Sequence, residues 1–249
     1  MRAQRRILHD LIDPRVAGRP RPVKGGPLYC RRMFPVSDVI PSRRTPVATI
    51  AFIALNAVVF LCELQLDRRQ LYELAHSLGV IPADFQWPRA VTGAFLHDGW
   101  IHFAGNMLYL WIFGDNLEDA MGHASFVGFY LASAMVAAGA YVALNPTSTA
   151  PLIGASGAVA AIMGAYFALY PRSQVLTAIF LVVYRDLIEV PAIIFLGVWL
   201  GMQLLAGLAS MGTGAADGSL AISAHVAGFV VGLAAGLALR GRGKTRAWS

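Results

Sequence analysis

Three stretches of this chain carry side chains whose type and setting could do chemistry. Ser156 stands in Gly154-Ala155-Ser156-Gly157, after a turn-rich segment (145–151) and ahead of an uncharged apolar run reaching Tyr166. That setting places the serine near a helix N-terminus, where backbone N–H groups lack partners one turn back and can hold an anion. A serine oxygen attacking a carbonyl needs such donors, because the oxyanion it creates must be stabilised by groups already in place. His225 opens the last apolar run, just ahead of Gly228 and Gly232, a Gly-x-x-x-Gly face that lets another helix approach closely. Gly157, Ala160, Ala161 and Gly164 offer a matching face after Ser156. If the two faces pack, Ser156 and His225 meet as nucleophile and general base, with no third member in view. His102 and Asn106, four residues apart, share one helix face, and both can donate hydrogen bonds to an oxyanion. Each residue also has a plainer reading, Ser156 as a small packing residue and His225 as a structural histidine bonded to a backbone carbonyl.

Competing chemistries find less support. His97, His102, His123 and His225 supply imidazoles but form no His-x-x-x-His pair and have no carboxylate at matching depth, so no metal site is expected. No cofactor is expected either. A channel or transporter would need paired charges or broken helices at mid-membrane, and neither stands out. Cys30 and Cys62 outline no disulfide framework.

The elements that must position these residues follow from composition. The chain has 249 residues, 57% of them hydrophobic and 14% charged, with a mean hydropathy of +0.58. It is too apolar for a soluble domain of this size and reads as a polytopic membrane protein. Apolar runs at 47–64, 101–117, 124–144, 156–170, 190–208 and 221–239 predict an all-α bundle of six transmembrane helices. The predicted organisation is a loosely ordered basic arm (1–45), a membrane domain (46–240) and a basic tail (241–249). Residues 66–100 read as a long mixed loop with tryptophans and interfacial structure. Residues 175–184 are too few to span; periodicity does not separate a helix from an extended segment there, and they read as a loop partly buried at the interface. Six spans put 17 of the 20 Lys/Arg on the side of both termini, which the positive-inside rule makes cytoplasmic. That asymmetry explains the net charge of +6 through topology, so no nucleic-acid partner is expected. It also brings Ser156, His225, His102 and Asn106 to a similar depth near the outer ends of their helices.

Four motifs in order carry a resemblance: His97-Asp98-Gly99-Trp100-Ile101-His102-Phe103-Ala104-Gly105-Asn106, Trp111-Ile112-Phe113-Gly114-Asp115-Asn116-Leu117-Glu118, Gly154-Ala155-Ser156-Gly157, and Ala224-His225-Val226-Ala227-Gly228 with Gly232. Together, over about residues 37–240, the chain resembles the rhomboid family of intramembrane serine proteases. The resemblance implies Ser156 as nucleophile, His225 as its base, and His102, Asn106 and the Ser156 N–H as holders of the oxyanion. It implies Glu118 as a structural hydrogen-bonding residue near the cytoplasmic end, with Gly154, Gly157, Gly228 and Gly232 structural near the site. It further implies single-span membrane protein substrates with small residues at the cut, access beside the fifth helix, and a multi-pass protein of the lipid bilayer, of the bacterial inner membrane type. Some members pack a tyrosine, four residues after the serine, on the histidine. Ala160 stands there, so what orients His225 is open at this level. The alternative is a catalytically silent rhomboid-like protein that binds membrane proteins in quality control; the presence of both serine and histidine weighs against it.

Overall fold

The computed structural model describes residues 32–38, 40, 44–180, 185–213 and 216–241. Residues 1–31 of the predicted arm and the tail beyond Gly241 lie outside the described residues. The apolar helices are α1 (Val47–Glu63), α4 (Trp100–Met121), α5 (His123–Leu144), α6 (Ser156–Leu169), α7 (Ala192–Thr213) and α8 (Ala216–Gly241). Residues 66–100 fold into α2 (Arg68–Leu78), α3 (Trp87–Thr92) and two 3-10 turns. A capping box starts α2: Asp67 Oδ1 accepts the Gln70 N–H and Gln70 Oε1 accepts the Asp67 N–H, each at 2.9 Å. Among the described residues three stretches, His123–Leu144, Ala192–Ala209 and Ile222–Gly241, are long and apolar enough to cross a membrane; α1 and α6 are shorter apolar helices.

Helix α6 is the centre of the bundle. Every residue from Gly157 to Tyr166 is buried, so this helix meets protein on all sides, which an uncharged, small-residue sequence permits. Against it lies α8 at backbone distance: a Cβ on Gly228 would overlap the Gly157 carbonyl oxygen, and one on Gly232 the Ala161 carbonyl oxygen. The small-residue faces of the fourth and sixth apolar runs thus form one seam, held by dispersion between closely apposed backbones. At 14 residues α6 is about 21 Å long, well short of the ~30 Å hydrocarbon layer.

Two carboxylates tie α1 to the bundle. Pro46, at its N-cap, offers no side-chain acceptor. Instead Glu118 of α4 reaches across: Oε1 accepts the Ala48 N–H and Oε2 the Thr49 N–H, both at 2.8 Å, and Oε2 also accepts the Thr49 hydroxyl at 2.7 Å. A carboxylate there satisfies donors that a helix start leaves orphaned and complements the positive end of the helix dipole. Glu118 also meets His123 Nδ1. At the far end of α1, Glu63 accepts the His97 N–H at 3.1 and 3.2 Å, fixing the loop that leads into α4.

The bundle is accompanied by a three-stranded antiparallel sheet, ordered β1 (Arg32–Asp38), β2 (Gln174–Phe180), β3 (Arg185–Pro191). Residues 175–184, expected as an interfacial loop, thus begin with β2, and the predicted arm contributes β1. Val175 pairs with Asp38 on one side and Val190 on the other. Val175 and Thr177 are buried while Leu176 between them is not, the period of two that a half-buried strand shows. Asp38, at the end of β1, accepts hydrogen bonds from Tyr166 Oη at 2.6 Å and Asn116 Nδ2 at 2.7 Å. This joins the sheet to α4 and to the end of α6 away from Ser156. Burial among these groups pushes the Asp38 carboxyl up to about 7.

Candidate active site

Ser156 is the first residue of α6, and the chain reaches it through Gly154 at φ +112°, a backbone region that side-chain-bearing residues rarely adopt. A Cβ there would also stand 2.5 Å from His102 Nε2, so the missing side chain is what lets the His102 ring lie against the serine loop. Backbone bonds fix that loop: the Gly154 N–H donates to the Gly93 carbonyl at 2.8 Å, and Val80 and Leu152 exchange two N–H···O bonds at 3.0 and 2.8 Å.

Across the α6–α8 seam, His225 Nε2 lies 2.7 Å from Ser156 Oγ. The seam makes this contact possible, since with Gly228 against the Gly157 carbonyl the two helices cannot stand further apart without losing their packing. A neutral imidazole that accepts the serine proton at Nε2 carries its own hydrogen on Nδ1. That Nδ1 is 3.0 Å from Gln203 Oε1 on α7. One turn earlier on α7, the Trp199 ring lies 6.2 Å from the His225 ring, tilted by 41°. The sequence reading left out both α7 residues. Gln203 carried a usable signal, an amide within an otherwise apolar span.

On α4, His102 Nδ1 is 2.8 Å from Asp98 Oδ1, a bond that turns the ring so that Nε2 is the atom near Gly154. Asn106, one turn on, is 6% exposed, and among the described residues its Nδ2 has no hydrogen-bond partner. Such an unpaired buried donor is costly unless something uses it. His97 is buried, neither ring nitrogen is hydrogen-bonded among the described residues, and its ring lies 5.0 Å from that of His102. Burial, with the neighbouring His102 adding to it, lowers His97 to about 4, so this ring stays neutral. A cavity bordered by Gly93, Ala94, Ala134, Ala137 and Ala224 opens beside Ser156. Ser156, His225, His102 and the glycines around them therefore converge, whereas Glu118 sits at the opposite end of α4, holding α1. No three His, Cys, Asp or Glu side chains converge as metal ligands among the described residues.

Comparison with known proteins bears on the same stretch. A family model described as the Rhomboid domain matches residues 84–242, which include the serine loop and both helices of the seam. Rhomboid protein 1, mitochondrial, of Saccharomyces cerevisiae is 29% identical over 149 residues, which are 57% of this chain and 39% of the yeast protein. The Bacillus subtilis protein YdcA, which also carries the rhomboid name, is 34% identical over 96 residues, 36% of this chain and 44% of its own length. The chain thus spans less than half the length of either relative. With the domain model covering most of its length and the apolar helices that the bundle displays, the chain is an integral membrane protein of the rhomboid family.

Proposed function

We propose that this protein is an intramembrane serine endopeptidase working through a Ser156–His225 dyad. The observation that carries the reading is the 2.7 Å contact of Ser156 Oγ with His225 Nε2 at the start of a buried helix. Ser156 Oγ attacks the scissile carbonyl while His225 Nε2 takes its proton and later passes it to the leaving amine. The tetrahedral oxyanion is held by the Ser156 N–H at the helix start, by Asn106 Nδ2 and by His102 Nε2, which donates as part of an imidazolium whose Nδ1–H is given to Asp98. Water then attacks the acyl-enzyme with His225 again as base, so the reaction needs no metal or cofactor.

Position and shape support the class of substrate. Because α6 falls about 9 Å short of the ~30 Å layer, there is room for a serine on its first turn to lie below one membrane face, within reach of a peptide bond of a spanning segment. The alanine- and glycine-lined cavity suits small side chains at the cut. The substrates are single-span membrane proteins whose helix opens locally, since a hydrogen-bonded helical carbonyl is not free to be attacked. The protein acts in a lipid bilayer, of bacterial inner membrane type, with both termini cytoplasmic, as the distribution of Lys and Arg directs.

A serine-reactive fluorophosphonate tests the dyad on the full chain in detergent or liposomes. Labelling of the wild type, lost in Ser156→Ala and strongly slowed in His225→Ala, is the expected result, together with cleavage of a single-span reporter. A folded wild type that neither labels nor cleaves would overturn the proposal and favour a silent, membrane-protein-binding member of the family.

A further inference from the structure

Helix α7 presents Trp199 and Gln203, four residues apart on one face, to His225. Gln203 is a polar side chain in a stretch that is otherwise lipid-compatible, with Val198, Met202, Leu204 and Leu205 exposed around it. In an apolar environment an amide is retained where it has a partner to satisfy. Its partner here is the one ring nitrogen of His225 that Ser156 does not use. We infer that Gln203 is the positioning residue of the dyad: by accepting the Nδ1–H it fixes the tautomer that leaves Nε2 as the base, and it does so from α7. Trp199, one turn away, lies beside the ring and limits its sideways movement, while on α6 Ala160 faces the seam.

The consequence is a link between α7 and the chemistry. Of the three long apolar helices α7 is the least buried, so it is the one whose displacement costs the bundle least contact. Displacing it withdraws both Gln203 and Trp199 from His225. The ring then loses its Nδ1 acceptor and is free to rotate or to take the other tautomer, in which Nε2 bears hydrogen and cannot accept the serine proton. The base is therefore competent only while α7 is docked, and a substrate that passes beside α7 is cut after the helix returns.

This inference rests on the dyad reading, and its test separates the two. Three variants of the full chain in liposomes, Gln203→Leu, Gln203→Glu and Trp199→Leu, are compared with wild type for kcat and KM on a single-span reporter and for thermal unfolding. Gln203→Leu keeps the volume and removes the acceptor. It is expected to lower kcat by about tenfold with KM little changed, well below the roughly 10⁴ lost when a charged triad carboxylate is exchanged for an amide. Its unfolding temperature should match wild type. Gln203→Glu retains an acceptor at the same reach and should recover most of the loss, which a residue that only packs would not show. Trp199→Leu should give a smaller fall in kcat. An active wild type with Gln203→Leu equally active overturns the inference and leaves the dyad standing. A Gln203→Leu defect that Gln203→Glu does not restore, or one matched by lower thermal stability, also overturns it. An inactive, unlabelled wild type overturns the dyad itself.

Discussion

Replacing Asn106 by leucine should make this protein more stable and less active at once. The side chain is 6% exposed and its Nδ2 has no hydrogen-bond partner among the described residues. A buried amide donor left unpaired costs about 1–3 kcal/mol. Leucine has the same branched shape without a polar atom, so Asn106→Leu should remove that cost, offset in part by the crowding of its bulkier methyls, for a net gain of up to about 1 kcal/mol. For a chain of this size that gain is roughly 2–4 °C in unfolding temperature. The same change removes one of three oxyanion donors. Loss of a single donor costs about 10²–10³-fold in soluble hydrolases, but His102 and the Ser156 N–H remain, so about tenfold in kcat is expected, with KM barely altered. Both quantities are measured on one purified variant in the same lipid, unfolding by differential scanning fluorimetry and kcat on a single-span reporter normalised to folded protein. A variant that unfolds earlier and cuts at the wild-type rate per folded molecule would refute the reasoning, because Asn106 would then be a bridge between helices and not a donor held in reserve.

The carboxylate of Glu118 receives three hydrogen bonds from the first turn of α1. Glu118→Ala leaves those donors unpaired and should therefore cost about 3–5 kcal/mol and lower the unfolding temperature by roughly 6–20 °C. Glu118→Gln should be nearly as harmful, because its NH2 would face an N–H; recovery by glutamine would count against the cap. His97, held at about 4 against an ordinary value near 6.5, binds its proton more readily in the unfolded chain. Its contribution to stability is present above pH 6.5 and is lost as the pH falls towards 4. The unfolding temperature of wild type should accordingly fall more steeply over that window than that of His97→Asn, and parallel curves would show that the ring is not buried neutral. Phe195 of α7 packs near Tyr109 of α4, with ring centroids 6.3 Å apart. In a chain with Cys30 and Cys62 replaced, cross-linking Tyr109→Cys to Phe195→Cys should block a membrane-spanning substrate while leaving a small soluble ester largely unaffected; equal inhibition of both would show that substrates do not pass there.

What the sequence settled by itself was local in origin. Six apolar runs and the skew of basic residues follow from what hydrocarbon tolerates, and those constraints act residue by residue. The glycine and serine of the 154–157 turn mark a helix start through their own backbone preferences, and His102 and Asn106 are neighbours by helical spacing alone. The small-residue stripes on α6 and α8 announced that both helices had a close partner, though only tertiary structure shows that Gly228 sits on Gly157 and Gly232 on Ala161. The sheet was not legible, because periodicity over ten mostly apolar residues does not separate a helix from an extended segment. Gln174–Phe180 pairs with Arg185–Pro191 just beyond it and with Arg32–Asp38, some 140 residues earlier, and no local pattern records the second pairing. The same holds for the partner of His225. Gln203 was visible as a polar residue in an apolar helix, but its target depends on the rotation of α7 about its axis and on its distance from α8, both set by packing. Bonds within one helix or turn are fixed by spacing; bonds between helices are fixed only when all the interfaces close together.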